Sequence, residues 1–121
     1  MIRRDISFVK GDSHKIKLRI KLANGEYFIP KESDRLYFTA KLVSEGEAVI
    51  KKYYPSEDFA FSTEDNFFRI SFNPEDTENL KAHCDYLYDI ELSVPSFDKV
   101  KTVVKGTLLL CEDITKRTDY V

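Results

Sequence analysis

Apolar and polar residues alternate along much of the chain, and this pattern predicts β-strands. Between His14 and Leu22, every second side chain is apolar. The positions between them are basic: Lys15, Lys17, Arg19 and Lys21. A period of two is typical of a strand with one buried face. Asn24 and Gly25 follow, and they favour a two-residue type I′ turn from which residues 26–29 return antiparallel.

The alternation recurs further along the chain and predicts an all-β fold. We expect strands over residues 36–42, 48–54, 68–72, 86–94 and 100–110, with a loop or a short edge strand within 56–66. About seven short strands at even spacing are typical of an antiparallel two-layer β-sandwich of the immunoglobulin-like type. The length of 121 residues fits a single domain, residues 1–121.

One short helix is predicted near residues 74–82. Asn73 is a good N-cap, Pro74 suits the first helical position, and Glu75 and Asp76 place negative charge at the positive end of the helix dipole. We expect two to three turns. Beyond the helix, Tyr86 and Tyr88 lie on the core side of the next strand, and one of them is expected to hydrogen-bond back across the corner.

The register of the last hairpin can also be predicted. If its loop centres on Phe97, positions whose numbers sum to 194 face one another. The expected pairs are Ile90 with Val104, Tyr86 with Leu108, Val94 with Val100, Asp89 with Lys105, and Ser93 with Lys101. In this register Cys84 and Cys111 point to opposite faces, so we expect no disulfide between them.

Composition and charge exclude several functional classes. The apolar share is 42%, and 19 basic and 21 acidic side chains leave a formal charge of -2. We therefore expect no nucleic acid partner, because the chain has no excess of positive charge to hold phosphates. We also expect no membrane association and no signal peptide, since no long apolar run is present.

Two short segments resemble catalytic groups, but their spacing argues against catalysis. Neighbouring residues on an extended chain point to opposite sides, so Asp12, Ser13 and His14 cannot form a triad. The same objection applies to the Cys84 thiol beside His83.

Acidic residues could in principle bind calcium: Glu75, Asp76, Glu78, Asp85, Asp89 and Glu91. Their spacing matches no calcium loop. We predict no catalytic residue, no cofactor and no metal.

The basic row is the one possible partner-binding site at residue level. Four like charges on one strand face, Lys15, Lys17, Arg19 and Lys21, repel one another unless something compensates them. They either form a solvated strand that discourages aggregation or bind an acidic surface on a partner protein. The sequence leaves both interpretations open.

The order of several segments resembles a known family. The segments are Phe8–Ser13, Lys15–Ile20 with its Asn24-Gly25 turn, Leu36–Lys41, Pro74–Thr77, Tyr86–Leu92 and Thr102–Leu108. They resemble small β-sandwich structural proteins of tailed phages and prophages, and are similar to the N-terminal domain of baseplate upper proteins of phages that infect Gram-positive bacteria.

The resemblance implies a non-enzymatic structural component of a phage tail, a baseplate or a tail-like particle. Its partners would be other virion proteins and further copies of itself, and it would be made in the host cytoplasm and located in the virion. The alternative is a β-sandwich module that binds a carbohydrate or another ligand. An enzyme is the third option, and Cys84 would be its test position.

Overall fold

The structure, a computed structural model, describes residues 1–43, 45–115 and 119. Its strands are β1 (Ile2–Arg3), β2 (Ile6–Val9), β3 (His14–Leu18), β4 (Arg35–Lys41), β5 (Ala48–Tyr54), β6 (Phe59–Ser62), β7 (Phe67–Phe72), β8 (Asp85–Val94) and β9 (Lys99–Cys111). One helix, α1 (Pro74–Thr77), and a 3-10 turn at Pro95–Phe97 complete the elements. The fold is therefore mostly β, as predicted.

The strands form two sheets that face each other in a sandwich-like fold. The larger sheet has the order β2, β9, β8, β4, β5, and β1 pairs with β9 beside β2. The smaller sheet has the order β3, β7, β6. Because β1 and β2 run parallel to β9, the larger sheet is mixed, and the expectation of purely antiparallel strands is wrong at this edge.

Aromatic rings fill the space between the sheets. Phe38 of the larger sheet and Phe72 of the smaller sheet meet edge to face, with their ring centroids 5.4 Å apart. Tyr54 and Phe68 form a second contact of this kind at 5.3 Å. The side chains of Phe38, Phe68 and Phe72 are essentially inaccessible to solvent. Buried aromatic area of this size is a main source of stability in a small domain.

The strand predicted over residues 14–22 ends at Leu18, opposite the beginning of its antiparallel partner β7. Leu18 pairs with Phe68, and beyond this point the chain forms a narrow hairpin of its own, in which Lys21 bridges to Tyr27. The Gly25 amide donates to the Leu22 carbonyl, so the turn centres on residues 23–24. Gly25 has a φ of +88° whereas Asn24 is not left-handed, so the expected type I′ turn is wrong.

Helix α1 is a single turn, shorter than the predicted helix near residues 74–82. Asn73 does precede it in extended conformation, as expected of an N-cap. The helix cannot continue because the Tyr86 hydroxyl binds the backbone of Lys81, accepting from its N–H at 2.9 Å and donating to its carbonyl at 3.0 Å. The expected hydrogen bond across the corner is thus made by Tyr86, and it takes the groups that a longer helix would need.

The predicted register of β8 and β9 is correct for about half of the length of the hairpin. Ile90 faces Val104, Tyr86 faces Leu108 and Asp89 faces Lys105, as predicted. A bulge then shifts the strands by one residue, so that Val94 faces Lys99 and Ser93 faces Val100. The predicted pairs of Val94 with Val100 and Ser93 with Lys101 are therefore wrong. The bulge allows the consecutive residues Val103 and Val104 both to be buried.

The segment predicted as a loop or short edge strand contains β6, which is an edge strand of the smaller sheet. Cys84 and Cys111 are free thiols, and both are half-buried.

Candidate functional site

The predicted basic row lies on the outer surface of the smaller sheet. Lys15 and Lys17 are in β3, and Arg19 and Lys21 follow in the hairpin that continues it. All four side chains are exposed, whereas Ile16, Leu18 and Ile20 between them are buried. The alternation therefore placed each of these residues on the correct side of the chain.

The structure adds a fifth cation that the sequence did not place in this site. Arg69 of β7 is exposed and lies directly opposite Lys17 in the sheet. Its alternation with Phe68 and Ile70 predicted an outward side chain, but nothing in the sequence indicated that β7 pairs with β3. Like charges in directly opposed positions destabilise a sheet. We call these five residues, Lys15, Lys17, Arg19, Lys21 and Arg69, the basic face.

The basic face has little internal compensation for its charge. Within the described part of the chain, no ion pair joins any of its five side chains to a carboxylate. Arg19 instead donates through Nη2 to the backbone carbonyl of Asp65 at 2.9 Å. The face can therefore accept negative charge from a partner.

Two aromatic rings lie under these cations. The Lys17 ammonium is 4.8 Å from the ring centroid of Phe67, and the Arg19 guanidinium is 5.2 Å from that of Tyr27. Lys21 also approaches Tyr27, at 5.9 Å. Cation–π contacts of this length orient long side chains while leaving their charge accessible. The basic face is thus partly ordered before any partner binds.

A cleft of about 600 Å³ opens at one end of the sandwich, and we call it the end cleft. Its walls come from the hairpin after β3, the connection to β4, the end of β8 and the start of β9. The apolar lining includes Leu22, Phe28, Ile29, Leu92, Phe97 and Val103. Four lysines also line it: Lys21, Lys31, Lys99 and Lys101. Lys21 thus belongs to both the cleft and the basic face.

Among the described residues that line the end cleft, Asp34 is the one with an acidic side chain, and it is 2% exposed. Its Oδ2 atom accepts a hydrogen bond from the backbone N–H of Lys31 at 2.8 Å. Its Oδ1 atom has no hydrogen-bond partner among the described residues. This oxygen is also inaccessible to solvent, so a ligand in the cleft does not reach it, and Asp34 forms part of the wall. Sequence reasoning missed Asp34 because a single aspartate in a loop carries no distinctive pattern.

The residues that resembled catalytic groups have separate surroundings. His14 stacks on Phe8, with ring centroids 4.5 Å apart. The His83 Nε2 atom lies 3.4 Å from Glu112 Oε2 at an exposed position. The Cys84 thiol is half-buried and packs against the hydrophobic core. None of these contacts is the hydrogen bond between a nucleophile and a base that covalent catalysis requires.

The acidic residues considered for calcium are spread over different environments. Asp76 binds Lys52, whereas Asp89 lies opposite Lys105 in the larger sheet. Across the described residues, no group of three or more His, Cys, Asp or Glu side chains is arranged to hold a metal ion. In the same part of the chain, no helix is both long and apolar enough to span a bilayer.

The best-connected charged cluster has a structural role. The Lys52 ammonium, in a residue 9% exposed, lies 2.8 Å from Asp58 Oδ2 and 2.7 Å from Asp76 Oδ2. Burial opposes the charged form of Lys52, but the hydrogen bonds to the two carboxylates outweigh burial and raise its pKa. The hydrogen bond from Lys52, with a further one from Asn73, lowers the pKa of Asp58. This cluster joins β5, the loop before β6 and α1, so we assign it to stability.

A scan against known protein families finds no matching family, and a search of curated protein sequences finds no match to this chain. The resemblance to phage structural proteins therefore stays a prediction.

Proposed function

We propose that this domain is a non-enzymatic structural component of the tail or baseplate of a phage, a prophage or a tail-like particle. It acts through contacts with other virion proteins and with further copies of itself, and it is located in the virion after synthesis in the host cytoplasm. The basic face carries the proposal, because Lys17 and Arg69 oppose each other without a carboxylate ion pair in the described chain. An acidic partner surface would relieve this repulsion.

The sheet edges give such a domain further means of assembly. Strand β5 ends the larger sheet, and β3 and β6 end the smaller one. An unpaired edge offers backbone N–H and C=O groups to a strand from another chain. The exposed Tyr53 of β5 adds an aromatic side chain beside one such edge, and aromatic residues are enriched in protein interfaces.

The same proposal assigns the sandwich to the immunoglobulin-like type. The strand orders β9–β8–β4–β5 and β3–β7–β6 correspond to G–F–C–C′ and B–E–D of a variable-type domain. The hydrogen bonds between Tyr86 and Lys81 occupy the corner before the F strand, where a tyrosine corner is expected.

Immunogold electron microscopy tests the proposed location. Particles induced from the source strain are labelled with an antibody against this chain. We expect gold on assembled tails or baseplates, and unlabelled particles would contradict the proposal. Light scattering after size exclusion tests self-association. We expect a mass larger than the 14.1 kDa of a single chain.

A second candidate function is a carbohydrate- or ligand-binding module, and the end cleft is the observation that favours it. Its volume of about 600 Å³ lies in the range of small-molecule sites. The chain has no tryptophan to stack on a sugar ring. Binding of the isolated chain to a glycan array would favour this alternative.

A further inference from the structure

The end cleft combines two features that together specify a ligand. It has apolar walls and four lysines. Two of its apolar side chains are largely exposed: Phe97 by 74% and Ile29 by 57%. Large exposed apolar groups around a cleft are typical of a binding site.

We propose that the end cleft binds a short acidic segment of a partner protein. One apolar side chain of that segment enters the cleft between Leu22, Phe97 and Val103. Its carboxylates meet the lysines at the rim of the cleft. This inference rests on the proposed role of the domain in protein–protein contacts and names the class of partner.

The charge of the cleft lining determines which charge the partner segment carries. Four lysines and one aspartate give the lining a formal charge of +3, although the whole chain is negative. Complementary charge on an incoming segment speeds the encounter and suppresses basic competitors. A basic or neutral segment would leave the lysines repelled or uncompensated.

The proposed function decides between a peptide and a simple anionic amphiphile. Both would bring an apolar group for the walls and a carboxylate for the lysines. Because the domain is proposed to act through contacts with other proteins, we assign the cleft to a peptide, and the test below includes a fatty acid as the competing ligand.

The test measures binding of fluorescein-labelled synthetic hexapeptides to the whole chain by fluorescence anisotropy. Each peptide holds one central Leu or Phe, and the surrounding positions are Glu in one set, Lys in a second and Ser in a third. The test variant is Lys99→Glu combined with Lys101→Glu, both at exposed positions. Lys51→Glu is the matched control, because Lys51 is exposed on β5 and does not line the end cleft.

We expect the Glu set to bind more tightly than the other two sets. The double variant should raise Kd about tenfold, the effect of reversing two rim charges, while the control leaves Kd unchanged. Equal binding of the three sets, equal binding by the double variant, or binding of dodecanoate in preference to the peptides would each overturn the inference.

A further measurement locates the peptide. In a titration followed by 1H–15N NMR, we expect shifts of Leu22, Phe97 and Val103. Shifts confined to Lys15, Lys17 and Arg69 would overturn the cleft inference while leaving the proposed function intact.

Discussion

Replacing Lys52 by Met should destabilise the domain strongly at neutral pH. The ammonium of Lys52 bridges Asp58 and Asp76 at 2.8 and 2.7 Å, and its side chain is only 8% exposed. Removing one partner of a fully buried ion pair costs about 3–5 kcal/mol. The two carboxylates here retain 36% and 22% of their exposure, so solvent screens part of this loss. We expect a decrease of about 2 kcal/mol in the free energy of unfolding.

The loss should also depend on pH with a defined sign. The hydrogen bond from Lys52 lowers the pKa of Asp58 below its ordinary value of 3.8. A lowered pKa contributes stability that is present above the ordinary value and is lost as pH falls through the lowered one. In Lys52→Met the Asp58 carboxylate lacks its cation, so its protonation in acid relieves the variant. The difference in the free energy of unfolding between wild type and variant should therefore be smaller at pH 3 than at pH 7.

Urea denaturation followed by circular dichroism, at pH 7 and pH 3, measures both quantities. Lys51→Met is the matched control, because Lys51 is the exposed neighbour in the same strand. We expect the control to change stability by less than about 0.5 kcal/mol at either pH. A Lys52→Met effect that is equally large at both pH values, or no larger than that of the control, would refute this account of the cluster.

Three further perturbations test the corner and the parallel edge of the larger sheet. Tyr86→Phe should lower the free energy of unfolding by about 1–3 kcal/mol, because both backbone groups of Lys81 lose their partner; an unchanged urea midpoint would contradict this. Gly106→Ala should lower the free energy of unfolding by about 1–3 kcal/mol or more, since an added Cβ would collide with the Arg4 carbonyl. A variant as stable as the wild type would show that Arg4 does not pack this closely on Gly106. The Tyr88 hydroxyl donates to the Arg4 carbonyl, and burial raises the pKa of Tyr88 to about 12. Its raised pKa contributes stability that is intact below about pH 10 and lost as pH rises from 10 towards 12. Urea titrations at pH 9 and 11 should therefore show that the free energy of unfolding decreases less between these pH values for Tyr88→Phe than for the wild type.

Much of the fold could be predicted because alternation is a local property of the chain. The buried positions Ile16, Leu18 and Ile20, and the bounds of β5, follow from residues that are neighbours in the sequence. The early end of β3 could not be predicted in this way, since it depends on where its antiparallel partner β7 begins. The short helix likewise depends on Tyr86, whose hydroxyl takes the backbone groups of Lys81.

The candidate site likewise has a part that follows from local sequence and a part that depends on the tertiary structure. The four cations of the basic row are spaced by two along one strand, so the sequence placed them on one exposed side. Arg69 joins them only through the pairing of β7 with β3, which no local pattern encodes. The end cleft is assembled from two separate stretches of the chain, residues 20–34 and 92–103, which no local pattern brings together.

The most direct test of the proposed function is incorporation of the chain into particles. The gene is deleted from the source strain, particles are induced, and labelled chain is supplied before separation on a density gradient. The control is Lys81→Glu, an exposed position outside the basic face and the sheet edges. We predict that the wild type and this control sediment with the particles, and that Lys17→Glu combined with Arg69→Glu stays at the top of the gradient. Wild-type chain that remains at the top would contradict a structural role in the particle.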